Sequence, residues 1–262
     1  MDTFELGSVH PSALVSEGAE LGENVTVGPF SVLHSGATVG SNTVVGSHCI
    51  IGEPTSDFYG GLAPVAETVI GPNSIVRSHS VIYQGALIGA GLSTGHHVTI
   101  REGTMIGEHV QIGTKSDLQG LLSVGNFARL HSNVFVAQYS VIEDFAWLFP
   151  DVVLANDPHP PSDSCTRGPV IRRFAVLGAR STVLPGIEVG EHSLVGASSL
   201  VTRDVAAETL VAGVPAKPRG SVRDVECRHG NLDVIYPWPL QFRRGYPDGA
   251  LPASEELLEC RE

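Results

Sequence analysis

The fold is decided by the stretch TVIGPN SIVRSH SVIYQG ALIGAG LSTGHH VTIREG TMIGEH VQIGTK, residues 68–115, which repeats every six residues. The same register continues to residue 157 and gives fifteen units. The third place is aliphatic in every unit but one, as in Ile70 and Val76, and the last three places collect Gly, Asn, Asp, Glu and His, which favour turns. Such a strict, short period predicts a β-solenoid in which each unit supplies one strand and one corner.

The period also sets the boundaries of the predicted solenoid. Two more blocks keep the register, at 13–54 and 169–204, so that the chain contains 28 units, or about nine coils of three units each. We expect loops at 55–67 and 157–168, a lead-in at 1–12 and an irregular C-terminal tail at 205–262. An open solenoid end exposes unpaired strand edges, so the tail is expected to cover that end or a neighbouring subunit.

Other fold classes do not match this pattern. A coiled coil repeats its apolar residues every 3.5 positions and an amphipathic helix every 3.6. An ordinary β-sandwich of alternating strands would not hold a six-residue phase from residue 68 to residue 157. The fold class is therefore all-β, a parallel β-helix.

Charge and cysteine content limit the function. The formal net charge of −12 argues against nucleic-acid binding, because a phosphate backbone requires a basic patch. The cysteines are widely spaced without a CxxC pair, the N-terminus lacks a basic and apolar signal sequence, and no apolar run reaches about 18 residues. These features predict a cytoplasmic protein with no membrane partner. The basic residues concentrate late and favour a small anionic ligand: Arg167, Arg172, Arg173, Arg180, Arg203, Lys217 and Arg219.

The last coils carry a family resemblance. IEVGEHSLVGASSLVTRDV (187–205) and VAGVPAKPRG (211–220) resemble the hexapeptide-repeat acyltransferases, whose fold is a left-handed β-helix. The resemblance implies a homotrimer with active sites at subunit boundaries and acetyl-CoA, or another acyl-CoA, along the C-terminal coils. We expect the amides of Gly178 and Gly196 to contact the pantetheine or thioester. The candidates for the coenzyme phosphates, each of which could equally be an ordinary surface charge, are Arg180, Arg203, Lys217 and Arg219.

A second segment narrows the resemblance. HSNVFVAQYSVIEDFAWLFPDVVLANDPHPP (131–161) is similar to N-acetyltransferases of nucleotide-linked amino sugars, which carry an Asn-Asp pair followed by a proline-containing loop. By this resemblance Asn156 and Asp157 contact the acceptor, although a plain Asn-Asp turn is the alternative. Arg101 is a further candidate acceptor contact. Some relatives have paired cysteines in this loop, whereas only Cys165 is present here, so we expect no metal site.

The histidines supply the candidate chemistry. Acyl transfer to an amine needs a proton acceptor, and histidine suits that role near neutral pH. The unit LSTGHH (92–97) alone replaces the buried aliphatic residue by a threonine, and departures from a local rule are expected at functional sites. We therefore expect His96 to be the general base and His131, two coils further on, to be the second candidate. His97 and His79, which stack one coil apart, are both expected to contact the acceptor. A mere corner doublet, or histidines that only orient an already neutral amine, remain alternatives.

The sequence favours an acyl-CoA-dependent N-acetyltransferase acting on a nucleotide-linked amino sugar. An O-acetyltransferase for a small hydroxylated acceptor is one alternative. A γ-type carbonic anhydrase on the same solenoid would need three zinc-bound histidines at a subunit boundary, but the usual four-residue spacing between two of them is absent. A non-catalytic scaffold is the third alternative, and it predicts no binding of acetyl-CoA.

Overall fold

Each six-residue unit forms a strand of two to four residues and a turn. The structure is a computed structural model that describes residues 5–62, 64–161, 164–227, 229–230, 235–236, 246 and 249–250. The 28 units predicted from the sequence correspond one to one to the first 28 strands. The strands stack into three sheets of ten, nine and eleven members, parallel throughout except for the last strand of the third sheet, and the predicted parallel β-helix is confirmed.

Up to residue 201 the chain visits the three sheets in strict rotation. Sheet 1 contains β1 (Leu14–Val15), β4 (Val32–Leu33), β7 (Ile50–Glu53), β10 (Val81–Tyr83), β13 (Thr99–Ile100), β16 (Asp117–Leu118), β19 (Phe135–Val136), β22 (Val153–Leu154), β25 (Thr182–Val183) and β28 (Leu200–Val201). Sheet 2 contains β2 (Glu20–Leu21), β5 (Ala37–Val39), β8 (Thr68–Ile70), β11 (Leu87–Ile88), β14 (Met105–Ile106), β17 (Ser123–Val124), β20 (Val141–Ile142), β23 (Val170–Ile171) and β26 (Glu188–Val189). Sheet 3 contains β3 (Thr26–Val27), β6 (Val44–Val45), β9 (Ile75–Val76), β12 (Ser93–Thr94), β15 (Gln111–Ile112), β18 (Arg129–Leu130), β21 (Trp147–Leu148), β24 (Val176–Leu177), β27 (Leu194–Val195), β29 (Thr209–Ala212) and β30 (Lys217–Ser221).

The core is built from the first and third places of the units. Third-place side chains such as Leu33, Ile51 and Ile100 are 0 % exposed. First-place residues are buried beside them, and the hydroxyl groups of Ser74 and Ser80 donate hydrogen bonds of 2.8 Å to corner carbonyls. Because no unit can bury its apolar residue alone, the stability of the column depends on the stacking of coils.

The sixth place of the units adopts a left-handed backbone conformation. Its φ is 58° at Asn73, 63° at His79 and 56° at His97, and it is also positive at bulky residues such as Phe127 and Phe145. Non-glycine residues with positive φ are uncommon elsewhere. Here the sharp turn between sheets requires this conformation, and residues one coil apart therefore stack their side chains in columns.

Three corners follow from this rotation, and we name them by content. The histidine corner lies between sheets 3 and 1 and carries His79, His96, His97 and His131. The loop corner lies between sheets 1 and 2 and carries both long insertions, the first of which contains the helix α1 (Ser56–Tyr59). The aromatic corner lies between sheets 2 and 3, and in the C-terminal coils its sixth-place residues are His109, Phe127, Phe145, Phe174 and His192.

The solenoid extends past both predicted boundaries. At the N-terminal end, Val9 bridges Val27 of sheet 3. At the other end, β29 pairs in parallel with β27, and β30 returns antiparallel before a 3₁₀ turn at Val222–Asp224. The period is lost after residue 204 because the buried residues Val201 and Val205 are four positions apart instead of six, although the coil itself continues.

Two aromatic residues of the described tail pack on the flank of the solenoid. Tyr236 and Tyr246 contact an outer apolar cluster on sheet 3 that is centred on Phe145, Phe174 and Val176. Of the predicted tail, β29 and β30 therefore extend the end of sheet 3, whereas Tyr236 and Tyr246 lie against the side of the column. Neither short helix of the described residues has the length and apolarity needed to cross a membrane.

Candidate functional site

The histidine corner begins with a stacked column of rings. Centroids are 5.1 Å apart between Phe30 and His48, 4.9 Å between His48 and His79, and 4.7 Å between His79 and His97, with nearly parallel planes in the last two pairs. The predicted stacking of His97 over His79 is confirmed. His48, His79 and His97 occupy sixth places, so the turn geometry alone explains the column.

His96 is fixed beside this column. It is exposed, and its Nδ1 lies 2.8 Å from the hydroxyl of Ser78 one coil below. Its amide donates a hydrogen bond of 3.2 Å to the hydroxyl of Thr114 one coil above. The imidazole is therefore oriented by a neighbouring coil.

Thr94 has a structural reason for breaking the aliphatic rule. Its side chain is 2 % exposed, and its hydroxyl accepts a hydrogen bond of 2.8 Å from the amide of Arg77. In neighbouring coils that amide would donate to a backbone carbonyl, as Gly95 does to Ile112. The pairing of β9 with β12 is accordingly reduced to Ser93 and Ile75. Thr94 thus replaces a ladder bond by a side-chain bond at the turn that carries Arg77.

Next to this turn, a groove of about 500 Å³ runs along the outer face of sheet 3. It crosses the coils of β9, β12, β15, β18 and β21. Its polar and aromatic lining includes Arg77, Ser93, Gln111, Thr114, Arg129, His131, Ser132 and Trp147. The groove contains His131 but not His96, although both lie on the histidine corner.

His131 is held among aromatic rings at the edge of the groove. Its ring stacks on Phe149 with centroids 4.7 Å apart and lies 5.7 Å from the ring of Trp147. The side chain is half-buried, unlike that of His96. An imidazole in such a position is partly shielded from solvent while one side faces the cavity, which suits a proton acceptor.

Arg129 forms the floor of the groove and was not predicted as a site residue. It occupies an outward-facing second place, yet it is only 5 % exposed because the ring of Tyr246 lies 4.6 Å from its guanidinium carbon. The indole of Trp147 donates a hydrogen bond of 2.6 Å to the Tyr246 hydroxyl. Burial lowers the pKa of Arg129 and raises that of Tyr246. Sequence reasoning missed Arg129 because its cover comes from a residue far along the chain.

The predicted acceptor contacts on the loop corner are not brought to the histidines within one chain. Arg101 donates two hydrogen bonds of 3.0 and 2.9 Å to Glu102 and lies over the ring of Tyr83. Asp157 accepts a hydrogen bond of 2.8 Å from the amide of His159, and the carbonyl of Asn156 accepts one of 2.8 Å from Arg167. This geometry fits the Asn-Asp turn that was weighed as the alternative.

The predicted coenzyme residues divide between two places. Gly178, Gly196 and Arg180 continue the histidine corner beyond His131, and Lys217 and Arg219 are exposed on β30 at the end of sheet 3. Arg203 lies on the loop corner instead. The amides of Gly178 and Gly196 donate to Val195 and Val211 at 2.8 Å, so the expectation that these amides donate to the coenzyme is corrected.

The two glycines have another reason to be there. A Cβ on Gly178 would lie 2.6 Å from the Ala197 nitrogen, and one on Gly196 would lie 2.9 Å from the Ala212 side chain. These contacts are too close for any side chain, so both positions require glycine for the stacking of coils. Within the described ranges, no group of three His, Cys, Asp or Glu side chains is placed to hold a metal ion.

Comparison with known proteins assigns the family. The bacterial transferase hexapeptide family (six repeats) matches residues 9–53. The acyl-[acyl-carrier-protein]–UDP-N-acetylglucosamine O-acyltransferase of Aliivibrio fischeri is 30 % identical over an alignment of 236 residues that covers 82 % of this chain and 74 % of that protein.

A second relative matches a shorter segment. The 2,3,4,5-tetrahydropyridine-2,6-dicarboxylate N-acetyltransferase of Enterococcus faecalis is 46 % identical over 65 residues, or 25 % of this chain. The match spans only 27 % of that relative's length. Among solved structures, the UDP-N-acetylglucosamine acyltransferase of Arabidopsis superimposes with a TM-score of 0.67 over 82 % of this chain and 74 % of that one, at 19 % identity, which supports the fold alone. By its repeat, its fold and its long match to the Aliivibrio enzyme, the chain belongs to the hexapeptide-repeat acyltransferase family.

Proposed function

We propose that the protein transfers an acyl group, in the simplest case acetyl from acetyl-CoA, to the amino group of a nucleotide-linked amino sugar bound in the groove on sheet 3. The observation that carries this proposal is the groove itself, which places a half-buried imidazole, His131, beside a buried guanidinium, Arg129. The names of the relatives support both halves of the reaction, since one acts on a UDP-linked amino sugar and the other is an N-acetyltransferase.

His131 is the proposed proton acceptor. The amine attacks the thioester carbonyl, the proton of the amine passes to His131, and the C–S bond breaks to release the coenzyme thiol, which takes up a proton. His96 is the weaker candidate of the two, because it is exposed and lies outside the groove. It lies two coils below, about 10 Å along the axis, where it would orient the acceptor together with His79 and His97.

The proposed path of the acyl donor continues along the same corner. Gly178 and Gly196 lie two and three coils beyond His131, or about 10 and 14 Å along the axis. A pantetheine arm laid along these coils would bring its thioester to His131. Its phosphates would then lie near Arg180, Lys217 and Arg219, which are exposed and therefore accessible to an anionic ligand.

We further propose that the site is completed in a homotrimer. Arg101, Asn156 and Asp157 lie on the loop corner, away from the histidine corner of the same chain. If the loop corner of one subunit faces the histidine corner of the next, these residues reach the acceptor from the partner subunit. Mixing an Asp157→Asn chain with a His131→Asn chain tests this arrangement, because mixed trimers would regain part of the activity that each variant lacks. No regain of activity in mixed trimers contradicts a shared site.

The direct test is release of coenzyme thiol from acetyl-CoA against a panel of nucleotide-linked amino sugars. We expect His131→Asn to lower kcat by ~10²–10⁴, the range typical of a lost general base, and His96→Asn to change kcat by less than about threefold because it lies outside the groove. The reverse order would assign the proton acceptor to His96. Wild-type protein that binds no acyl thioester would leave the non-catalytic scaffold as the better explanation, and stoichiometric zinc would favour the carbonic anhydrase.

O-transfer is the second candidate, because the relative that spans most of this chain is an O-acyltransferase. The two products differ in chemistry: an ester is cleaved by mild alkali or hydroxylamine, whereas an amide is not. Mass spectrometry of the acylated product before and after hydroxylamine treatment decides between them. If hydroxylamine removes the acyl group, the acceptor is a sugar hydroxyl and not the amino group.

A further inference from the structure

The groove on sheet 3 has a charge opposite to that of the protein. The chain has a formal net charge of −12, yet none of the described residues that line the groove is Asp or Glu. The charged lining consists of Arg77 at one end and Arg129 in the floor, with the titratable His131 beside it. A cationic cleft in an acidic protein concentrates field lines and attracts an anion.

Arg77 is the accessible cation of this groove. It is exposed, and its backbone is fixed by the bond of 2.8 Å from its amide to the buried Thr94 hydroxyl. Among the described residues, no carboxylate lies within ion-pair distance of its guanidinium, whereas Arg101, Arg172 and Arg223 each bind a glutamate. A guanidinium binds phosphate oxygens with two parallel hydrogen bonds, which makes arginine the preferred residue for phosphate recognition.

The spacing along the groove indicates an extended ligand. Arg77 follows β9 and His131 follows β18, three coils further on, which is about 14 Å along the axis. The surface between them presents Ser93, Gln111 and Thr114. Hydroxyl and amide groups of this kind donate and accept hydrogen bonds with sugar hydroxyls. The groove therefore offers a phosphate position at one end and a reactive position at the other.

We propose that Arg77 binds the diphosphate of a ligand whose other end lies at His131. This assignment rests on the proposed function, and the diphosphate belongs either to the nucleotide-linked acceptor or to coenzyme A. The position of the coenzyme candidates on the far side of His131 favours the acceptor, since the two ligands would then meet at the imidazole from opposite directions.

The test is isothermal titration of wild type, Arg77→Gln and Lys115→Gln with UDP, dTDP and GDP and, separately, with coenzyme A. Lys115 is the matched control, because it is an exposed cation of the histidine corner that does not line the groove. We expect Arg77→Gln to raise the Kd of the preferred nucleotide at least tenfold and Lys115→Gln to change it less than twofold. A tenfold loss confined to coenzyme A also supports a diphosphate at Arg77 and assigns it to the donor.

Two results would overturn the proposal. One is no change in either Kd with Arg77→Gln. The other is an equal loss of affinity in Arg77→Gln and Lys115→Gln, which would indicate only the general positive charge of the corner. Absence of any binding to wild type would overturn it as well. Arg77→Lys sharpens the test, because it keeps the charge but loses the planar fork and should recover only part of the affinity.

Failure of the inference is distinguishable from failure of the proposed function. Acyl transfer with an unchanged acceptor KM and an unchanged coenzyme KM in Arg77→Gln would leave the function standing and remove Arg77 from the site. Loss of nucleotide binding in Arg77→Gln, in a protein that transfers no acyl group, would leave the diphosphate site standing without the reaction.

Discussion

The histidine corner and the aromatic corner flank sheet 3 on opposite sides and have the same backbone conformation at the sixth place. Sixth-place residues have φ of 56° at His97 and 59° at Phe145, and rings one coil apart stack with centroids 4.7 to 5.3 Å apart in both columns. The corners differ in what covers them. His79 and His97 are exposed, whereas Phe145 is 4 % exposed beneath Tyr246 and its neighbours.

This difference indicates that burial by other residues, and not ring stacking, determines whether a corner stabilises the fold or stays accessible to a ligand. An exposed ring column gains little from burial and leaves its imidazoles accessible to a ligand. A covered column buries apolar area that stabilises the coils and holds the described tail residues in place. The following predictions test whether the two corners differ in this way.

The largest expected difference concerns a phenylalanine in each column. Phe145→Ala removes a buried ring stacked between Phe127 and Phe174, and should lower the free energy of unfolding by about 3–5 kcal/mol. Phe30→Ala removes a ring that is 61 % exposed at the histidine corner, and should cost less than about 1 kcal/mol because little burial is lost. Urea denaturation of both variants measures the difference. Equal costs would mean that stacking itself, and not cover, stabilises these columns.

The second prediction compares one histidine from each corner. Burial lowers the pKa of His192 to about 4, because the charged form is desolvated where its ring stacks on Phe174. The folded-state pKa lies below the unfolded value of about 6.5, so this contribution to stability is complete above pH 6.5 and is lost as the pH falls toward 4. The loss should reach about 3 kcal/mol at the acid end.

Removing that imidazole should reduce the loss of folding stability that accompanies acidification. His192→Asn keeps a residue that tolerates positive φ and should remove most of the loss between pH 6.5 and 4. His97→Asn makes the same change in the exposed column and is the matched control. Thermal melts across this pH range provide the measurement. An unchanged slope in His192→Asn would show that this imidazole is not buried in the neutral form.

The third prediction concerns two buried threonines. Thr94→Val removes the acceptor of the Arg77 amide and should lower the free energy of unfolding by about 1–3 kcal/mol. Thr104 is buried as well, with 0 % exposure, but among the described residues its hydroxyl has no hydrogen-bond partner. Thr104→Val should therefore be neutral or slightly stabilising. If Thr104→Val lowers the free energy of unfolding as much as Thr94→Val does, the hydrogen bond between the Thr94 hydroxyl and the Arg77 amide is not what stabilises the turn.

The sequence predicted the column well and its chemistry only in part. The six-residue phase located the first 28 of the 30 strands in the described residues, because burial of the third residue is a local rule repeated in nearly every unit. It also placed His97 over His79, since the coil length follows from that phase. We interpret the unit with Thr94 as a functional signal; the Thr94 hydroxyl accepts the hydrogen bond of the Arg77 amide at the turn beside the groove, and a functional role of this unit stays a prediction.

What the sequence could not predict depends on contacts between distant segments. Phe127 and Phe145 occupy turn positions where small polar residues are the rule, and only the three-dimensional stack explains them. Arg129 and Trp147 look like ordinary outward-facing residues. They line the groove, and both contact Tyr246: its ring lies over the Arg129 guanidinium, and its hydroxyl, 99 residues after Trp147, accepts the indole hydrogen bond. No period in the sequence encodes that contact.

The smallest expected effect tests that contact. Tyr246→Phe keeps the ring but removes the acceptor of the Trp147 indole hydrogen bond of 2.6 Å, and should lower the free energy of unfolding by about 1 kcal/mol. Trp147 lines the groove, so its fluorescence and the Kd of the nucleotide should both change. Tyr139→Phe is the control, because this tyrosine is 48 % exposed on the loop corner and should alter neither quantity. Unchanged fluorescence in Tyr246→Phe would mean that the tail does not cover sheet 3 in solution, and the contrast between a covered and an open corner would then have to come from the rings alone.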